Sequence, residues 1–290
     1  MMADLPLIPL SNRTVIAIGG DDRISFLQGL VTNDVTNLQG KAVWSALLTA
    51  QGKYLHDFII LADGDRLLLD VEAERRDDLI RRLRMFRLRA KVELTDLTGQ
   101  LCVFARLDTA QAERGTVTEV EGGWQIVDPR HADLGHRFIL PVNTPAPGDL
   151  ADWDRARLTL GIPDSSRDLI PEKSILLDNG FDELAGVAWN KGCYVGQELT
   201  ARTKYRGLVK KRLLPVRVTG PLPDGGTIVT RDGADVGEIR SGRDDLALAL
   251  IRLDALPGAV PLLCGGATLS PMPPSWINLP RTEGDMPTNG

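Results

Sequence analysis

Thirteen consecutive residues in the second half of the chain hold an unusual density of reactive side chains. The segment Asn190–Arg202 reads N-K-G-C-Y-V-G-Q-E-L-T-A-R, which places a cation, a thiol, a phenol, an amide and a carboxylate close together. Glycines flank the Cys193-Tyr194 pair, and glycine permits backbone angles and close approaches that other residues do not. Such a loop can present Cys193 to solvent while a helix begins near Glu198. Lys191 or Arg202 nearby would favour the thiolate, which is the nucleophilic and metal-binding form of cysteine.

The same residues also fit a purely structural interpretation, in which Cys193 is a small buried hydrophobe. Cys102 lies in an apolar run and Cys264 follows two leucines, so we expect both to be inert core residues. Three scattered cysteines suit neither a disulfide framework nor the four ligands usual for an iron–sulfur cluster. We therefore expect Cys193 to be the functional thiol and expect no stably bound metal.

Composition limits the class of protein. The chain has 290 residues, of which 25% are charged, and a net charge of −5. These values indicate a globular protein without general attraction to nucleic acid or to an anionic membrane, although a local basic patch remains compatible with them. No apolar run approaches the roughly 20 residues of a membrane span, and the start of the chain does not resemble a signal peptide. We expect a cytoplasmic monomer that binds no membrane and no nucleic acid.

Hydrophobic periodicity predicts an α+β region followed by a small antiparallel β-barrel. In the first region, strands are predicted at 14–18, 43–48, 57–61, 66–71, 92–97, 101–107, 124–127 and 137–140. Helices are predicted at 23–31, 73–85 and 152–160, the last with Asp149 or Asp152 near its start and a stop at Gly161. Residues 164–180 lack periodicity and are expected to form an ordered loop. Barrel strands are predicted at 213–218, 227–230, 236–241 and 246–251.

The segment Lys191–Glu198 resembles the K-G-C-Y-x-G-Q-E signature of the YgfZ family, which includes mitochondrial iron–sulfur assembly factors. Further blocks follow in the family's order across residues 10–275: Phe26–Leu30 with Thr32-Asn33-Asp34, then Gln51–Phe58, Gly161–Pro163, Pro171-Glu172 and Thr203–Arg212. The family is paralogous to the glycine-cleavage T-protein, an aminomethyltransferase. The resemblance implies a T-protein-like ring around a central channel. Residues 1–208 would form two intertwined α+β subdomains that bind folate, residues 209–278 the C-terminal β-barrel, and residues 279–290 a disordered tail.

The resemblance also implies tetrahydrofolate, or a derivative, as the bound cofactor. A pterin needs a carboxylate at its amino-pyrimidine edge, and the acids available are Asp57, Glu172, Glu183 and Glu198, of which we select Asp57 and Glu172. The T-protein has two adjacent acids where this chain reads His56-Asp57, which weakens the case for aminomethyl transfer.

The expected function is that of an accessory factor that assists assembly or repair of iron–sulfur proteins, including one that methylthiolates tRNA. Its partners would be folate and the iron–sulfur client or assembly proteins. Within the signature, Gly192 and Gly196 would shape the loop, and Gln197 and Glu198 would order it through hydrogen bonds. Tyr194 is the remaining signature side chain, and Lys191 and Arg202 would supply positive charge. The alternatives are a folate-dependent one-carbon transferase of the aminomethyl type and a non-catalytic interaction module.

For two basic segments the sequence allows two interpretations, a solvated surface or a binding surface. The first is the helix with its arginines between Arg75 and Lys91, where a solvated helix is the simpler interpretation because its acids precede its bases. The second is the stretch Arg202–Arg212, which adjoins the signature.

Overall fold

The computed structural model describes residues 5–256 and 260–279. The expected tail, residues 279–290, lies outside these ranges apart from Leu279. Within the described ranges all strand pairings are antiparallel, and they build two five-stranded sheets and one closed barrel. The elements in chain order are β1 (Ile8–Pro9), β2 (Arg13–Gly19), α1 (Arg23–Gln28), β3 (Ala42–Leu48), β4 (Tyr54–Asp63), β5 (Arg66–Glu72), α2 (Arg76–Arg87), β6 (Glu93–Asp96), β7 (Leu101–Arg106), β8 (Val117–Val120), β9 (Gly123–Val127), β10 (His136–Pro141), α3 (Leu150–Leu160), α4 (Gln197–Tyr205), β11 (Lys211–Thr219), β12 (Ile228–Arg231), β13 (Ala234–Arg243), β14 (Leu246–Arg252), β15 (Leu262–Cys264) and β16 (Ala267–Pro271).

The first sheet, in the order β3-β4-β5-β2-β6, is buried on both faces. Alternate residues of a strand point to opposite faces, and the apolar residues of β4 divide accordingly. Ile59 and Leu61 pack into the core shared with the second sheet, whereas Phe58 and Ile60 pack into the core under α1 and α2. This double burial explains why β4 reads as an almost continuous apolar run.

The second sheet has the order β1-β7-β10-β9-β8 and contributes Val103, Ile126 and Ile139 to the shared core. The strands β1 and β8 were not predicted, because β1 has only two residues and β8 is largely exposed.

Helix α3 follows the second sheet; it begins at Leu150, two residues before the predicted start, with Asp149 rather than Asp152 as its cap, and it ends before Gly161 as predicted. The Asp149 side chain accepts a hydrogen bond from the Ala151 amide (2.8 Å), and Gly161 takes the left-handed conformation that ends the helix (φ 72°). The expected loop at 164–180 is ordered by short 3-10 turns at Ser165–Arg167 and Leu177–Asn179.

A buried network of ion pairs links the two sheets. Asp70 on β5 accepts from Arg13 on β2 (2.7 Å) and from Arg137 on β10 (2.6 Å), and Asp128 accepts from Arg130 (2.8 Å). All five side chains are almost fully buried. Removing one partner of such a pair leaves an uncompensated buried charge, so the network fixes how the sheets meet.

A second network joins α3 to the barrel. Arg157 of α3 is fully buried and donates to Asp154 (2.6 Å), to Asp168 (2.8 Å) and to the Ser241 hydroxyl of β13 (2.9 Å). The barrel itself has six strands, in the order β11-β14-β13-β12-β15-β16, and β16 closes it by pairing with β11. Four of these strands were predicted; β15 and β16 were missed because they are short and separated by only two residues.

Candidate functional site

The signature segment, residues 191–198, forms a loop that leads into α4. Lys191 is buried, and its ammonium donates to the carbonyl oxygens of Val31 (2.6 Å) and Asn33 (2.7 Å). The ammonium also lies 5.2 Å from the ring centre of Tyr194, which packs into the core shared by the two sheets. Burial lowers the pKa of Lys191 to about 8, against the attraction of Asp34. Lys191 therefore binds the loop to the turn after α1, a structural role that the sequence did not indicate.

Cys193 lies between these two buried side chains and is exposed. The interpretation of Cys193 as a small buried hydrophobe is therefore wrong. Cys264 is buried as expected, but Cys102 is only partly buried, because β7 packs its other face into the core. Burial raises the pKa of the thiols of both Cys102 and Cys264. Exposure thus separates Cys193 from the other two cysteines.

Tyr194 follows Cys193 directly in the sequence and holds the loop by packing into the core. Burial raises its pKa to about 12, with the nearby Thr200 hydroxyl acting in the opposite direction. Its phenol oxygen has no hydrogen-bond partner of ordinary geometry among the described residues. Tyr194 is therefore un-ionised at neutral pH and acts mainly through packing.

A backbone contact between two glycines joins the signature loop to the turn between β3 and β4. Gly196 (φ 80°) and Gly52 (φ 76°) both have left-handed conformations. A Cβ on Gly196 would lie 2.4 Å from the Thr49 carbonyl oxygen, and a Cβ on Gly52 would lie 2.7 Å from that of Gly196. At Gly192, in contrast, no heavy atom lies within 4 Å of the position that a Cβ would take. Close packing therefore requires Gly196 but does not require Gly192.

The turn Thr32-Asn33-Asp34 holds the segment that precedes the signature. The Thr32 hydroxyl donates to the Gly186 carbonyl (2.7 Å), and the Asn33 amide donates to the carbonyls of Trp44 (2.8 Å) and Ala185 (2.7 Å). Two of the sequence blocks that resemble the YgfZ family, the Thr32–Asp34 turn and the turn with Gly52, are thus in direct contact with the signature loop.

Helix α4 begins at Gln197, directly after Gly196, and the Val195 amide donates to the Gly29 carbonyl at the end of α1 (3.2 Å). Glu198 is exposed in the first turn, where a negative charge is favoured by the helix dipole. Within the described part of the chain, the side chains of Gln197 and Glu198 form no hydrogen bond, so the expected ordering of the loop through them is wrong. Backbone contacts and Lys191 supply the order instead.

A cavity of about 470 Å³ lies beside α4. Among the residues that the structure describes, Asp178 is the only acid that lines it. Burial raises the pKa of that carboxyl to about 6, against the attraction of Arg212, Lys211 and Lys53. Sequence reasoning missed Asp178, which had no signal beyond its place after an apolar pair. The walls are Ile175, Leu199, Thr203 and Leu208, and the lining cations are Arg202, Arg206, Lys210 and Lys211.

Other cations of the basic stretch Arg202–Arg212 are already paired. Lys204 binds Asp182 and lies 4.8 Å from the Trp189 ring, and the buried Arg212 binds Glu183 and the Leu177 carbonyl. The stretch is therefore not simply a solvated linker: part of it is structural and part lines the cavity.

Asp57, one of the two carboxylates selected for folate, is buried in the core between the sheets. Its oxygens accept hydrogen bonds from the Trp44 indole (2.9 Å) and from the Tyr54 hydroxyl (2.8 Å). A bulge in β4 leaves Leu55 unpaired, since Leu47 pairs with His56 and Leu48 with Tyr54. The extra residue lets Tyr54 and Asp57 meet, although a spacing of three would ordinarily place them on opposite faces.

His56 points away from Asp57 and packs against α2. Its Nε2 lies 2.9 Å from a carboxylate oxygen of Asp78. Burial, together with Arg75 and Arg82, lowers the pKa of His56 to about 4 in spite of Asp78. His56 is neutral at physiological pH, and its Nε2–H donates to Asp78.

Glu172, the second selected carboxylate, is 65% exposed and lies 3.5 Å from Arg82. Its backbone has a left-handed conformation (φ 63°), and its amide donates to the Tyr54 carbonyl (2.7 Å). Asp57 and Glu172 therefore lie in different environments. Among the described residues, no group of three His, Cys, Asp or Glu side chains is arranged to hold a metal ion.

Comparison with known proteins agrees with this architecture. Residues 210–279 match the family model described as the CAF17 C-terminal beta-barrel domain. The structure resembles a crystal structure of the glycine cleavage system aminomethyltransferase T from Bartonella henselae, with a TM-score of 0.74, 15% sequence identity and coverage of 94% of this chain and 86% of that one. The predicted T-protein-like α+β fold with a C-terminal barrel is therefore confirmed.

The chain is similar in sequence to mitochondrial proteins named iron-sulfur cluster assembly factor IBA57. It is 32% identical to the human protein over 278 residues, which cover 86% of this chain and 78% of that protein. It is 29% identical to the homolog from Pyricularia oryzae over 323 residues, which cover 97% of this chain and 80% of that protein. The expected cytoplasmic location is wrong on this finding, because these relatives are mitochondrial.

No helix among the described residues is long and apolar enough to cross a membrane.

The similarity in sequence to the human protein spans most of both proteins and includes the segment with the K-G-C-Y-V-G-Q-E motif. The resemblance to the YgfZ group is thereby confirmed, and the chain belongs to the family of the iron–sulfur cluster assembly factor IBA57.

Proposed function

We propose that this protein assists the assembly or repair of iron–sulfur proteins and that Cys193 is its functional thiol. The observation that carries the proposal is the exposure of Cys193 between the buried Lys191, which is bound to the turn after α1, and the buried Tyr194, which packs into the core shared by the two sheets. The names of the relatives support the same role. One exposed thiol suits a transient contact with a cluster or a client, in which the thiolate supplies one ligand or acts as a nucleophile.

The first test of this role uses a strain that lacks the gene. We expect activities of several iron–sulfur enzymes to fall, including one that methylthiolates tRNA, and the wild-type gene to restore them. An enzyme without a cluster serves as the control and should keep its activity. Unchanged iron–sulfur enzyme activities in the deletion strain would contradict the role.

Tetrahydrofolate is the proposed ligand, and the cavity beside α4 suits it better than the surroundings of Asp57 do. Both oxygens of Asp57 already accept hydrogen bonds inside the core, so a pterin there would have to displace Trp44 or Tyr54. Asp178 offers a carboxylate in a cavity with apolar walls, and about 470 Å³ falls in the range of small-molecule sites. The glutamyl tail is anionic and suits the lining arginines and lysines.

Calorimetry with tetrahydrofolate tests this placement. We expect a Kd near the micromolar range, about −8 kcal/mol. Binding should be about 10- to 150-fold weaker for Asp178→Asn, because loss of one charge-assisted hydrogen bond costs about 1.5–3 kcal/mol. Glu172→Gln is the control and should bind as the wild type does. No heat with saturating tetrahydrofolate would overturn folate binding. Equal affinity of Asp178→Asn and the wild type would overturn the site.

The side chains at the T-protein-like acidic block do not favour the transferase alternative. His56 and Asp57 face opposite sides of β4, and each is held by other residues. An accessory role needs no reacting group at this position.

A further inference from the structure

The C-terminal end of α2 projects apolar side chains into solvent. Met85, Phe86 and Leu88 are 66%, 41% and 88% exposed, and they are consecutive with the exposed Arg87 and Arg89. Side chains of this size seldom lie together on the surface of a monomer without a partner. The segment Met85–Arg89, together with the preceding residue Arg84, is called the α2 tip.

The backbone at the α2 tip keeps the most exposed of these side chains outside. Leu88 ends the helix with φ 43° and ψ −108°, a conformation that is unfavourable for a residue with a Cβ. The other face of α2 is fixed, because Leu79, Ile80 and Leu83 are buried in the core. Leu88 therefore cannot turn inward without moving the helix.

The charges around the α2 tip select the kind of partner. Arg84, Arg87 and Arg89 are exposed and form no ion pair within the described part of the chain. The protein as a whole carries a net charge of −5, so these arginines are a local exception to its acidic character. An anionic surface is the complement of such a cluster.

From this arrangement we infer that the α2 tip is a peripheral docking site for an anionic lipid surface. Five consecutive exposed residues at a helix end protrude, as membrane insertion requires, whereas a peptide partner would be better held by a groove. Apolar and basic residues alternate along Phe86–Arg89. The Phe86 ring and the Leu88 side chain can therefore enter the acyl boundary while the guanidinium groups reach lipid phosphates. The expectation that no membrane is bound relied on the net charge of the whole chain, which leaves room for a local basic patch.

Vesicle flotation with the full chain tests the inference. The protein should bind phosphatidylcholine vesicles that contain about 30% phosphatidylglycerol and should bind pure phosphatidylcholine at least about tenfold less. Salt at about 0.5 M should weaken binding, since it shortens the screening length to a few ångströms. The double variant Phe86→Ser/Leu88→Ser and the triple variant Arg84→Gln/Arg87→Gln/Arg89→Gln should each lose binding by at least about tenfold.

The barrel variant Leu263→Ser is the matched control, because Leu263 is 49% exposed and lies on β15, outside the α2 tip. Its binding should equal that of the wild type, and all variants should keep the melting temperature. No binding to the anionic vesicles, or equal losses in Leu263→Ser and the tip variants, would overturn the inference. If polyglutamate binds the wild type but not the tip variants while vesicles do not bind at all, the surface serves an acidic polypeptide and the lipid proposal is wrong.

Discussion

Substitution of Gly196 by alanine is expected to destabilise the protein, whereas the same change at Gly192 is not. At Gly196 the new methyl group would meet the Thr49 carbonyl oxygen at 2.4 Å and the Leu48 Cβ at 2.9 Å. A left-handed backbone costs an alanine about 1–2 kcal/mol relative to glycine, and overpacking against a fixed backbone costs about 1–3 kcal/mol. The free energy of unfolding should therefore fall by about 2–5 kcal/mol.

Thermal and urea unfolding of both variants measure this difference. A loss of this size should lower the Tm of Gly196→Ala by roughly 5–10 °C. Gly192→Ala should unfold within about 0.5 kcal/mol of the wild type, because open space surrounds that position. Equal stability of Gly196→Ala and the wild type would refute the close contact between the signature loop and the β3–β4 turn. If Gly192→Ala is stable but fails in the deletion strain, Gly192 is needed for access to Cys193 rather than for folding.

Three further predictions concern charged side chains. Lys191→Met should increase proteolytic cleavage of the signature loop, because it leaves the Val31 and Asn33 carbonyls unpaired. The folded-state pKa of Lys191 is about 8, below its ordinary 10.5, so the unfolded state binds more protons between these values and the free energy of unfolding of the wild type should rise from pH 8 to 10.5. Urea titrations of Lys191→Met should lack this rise. His56 has a folded-state pKa of about 4 against an ordinary 6.5, so the unfolded state binds more protons in this window and the wild type should lose stability on acidification from pH 6.5 to 4. His56→Gln should show a smaller loss in acid unfolding curves. An equal dependence of stability on pH in the wild type and the variant would contradict the lowered pKa of His56. Lys210→Ala/Lys211→Ala should change the free energy of unfolding by less than about 1 kcal/mol, because both residues are exposed, and a large drop in Tm would show that they are structural.

Local patterns in the sequence were sufficient to predict most elements of the fold. Asp149 and Gly161 fix the ends of α3 through a capping bond and a left-handed residue, and both signals are local. Helix α1 is shorter than the apolar stripe at 23–31 predicts, because Val31 leaves the helix and bridges to Leu47 of β3. Such a bridge depends on a residue distant in sequence, which periodicity does not report.

The candidate site was predicted only in part for the same reason. The signature identified the loop and the exposed thiol, but it gave Lys191 the role of a neighbouring charge, whereas its ammonium is held by carbonyls some 160 residues earlier in the chain. The choice of Asp57 followed a local block, and the bulge that turns this carboxylate toward Trp44 and Tyr54 has no clear sequence signal. Asp178 was missed because its cavity forms only when α4 and the start of β11 come together.

The dependence of iron–sulfur enzyme activity on Cys193 is the most direct measure of the proposed function. Cys193→Ser and Cys102→Ser can be expressed at matched levels in the deletion strain, after equal melting temperatures have shown that both variants fold. The exposed position of Cys193 predicts that Cys193→Ser fails to restore the activities, whereas Cys102→Ser restores them in full. Full restoration by Cys193→Ser would contradict any sulfur chemistry at the signature loop and would leave it as a folding or docking element.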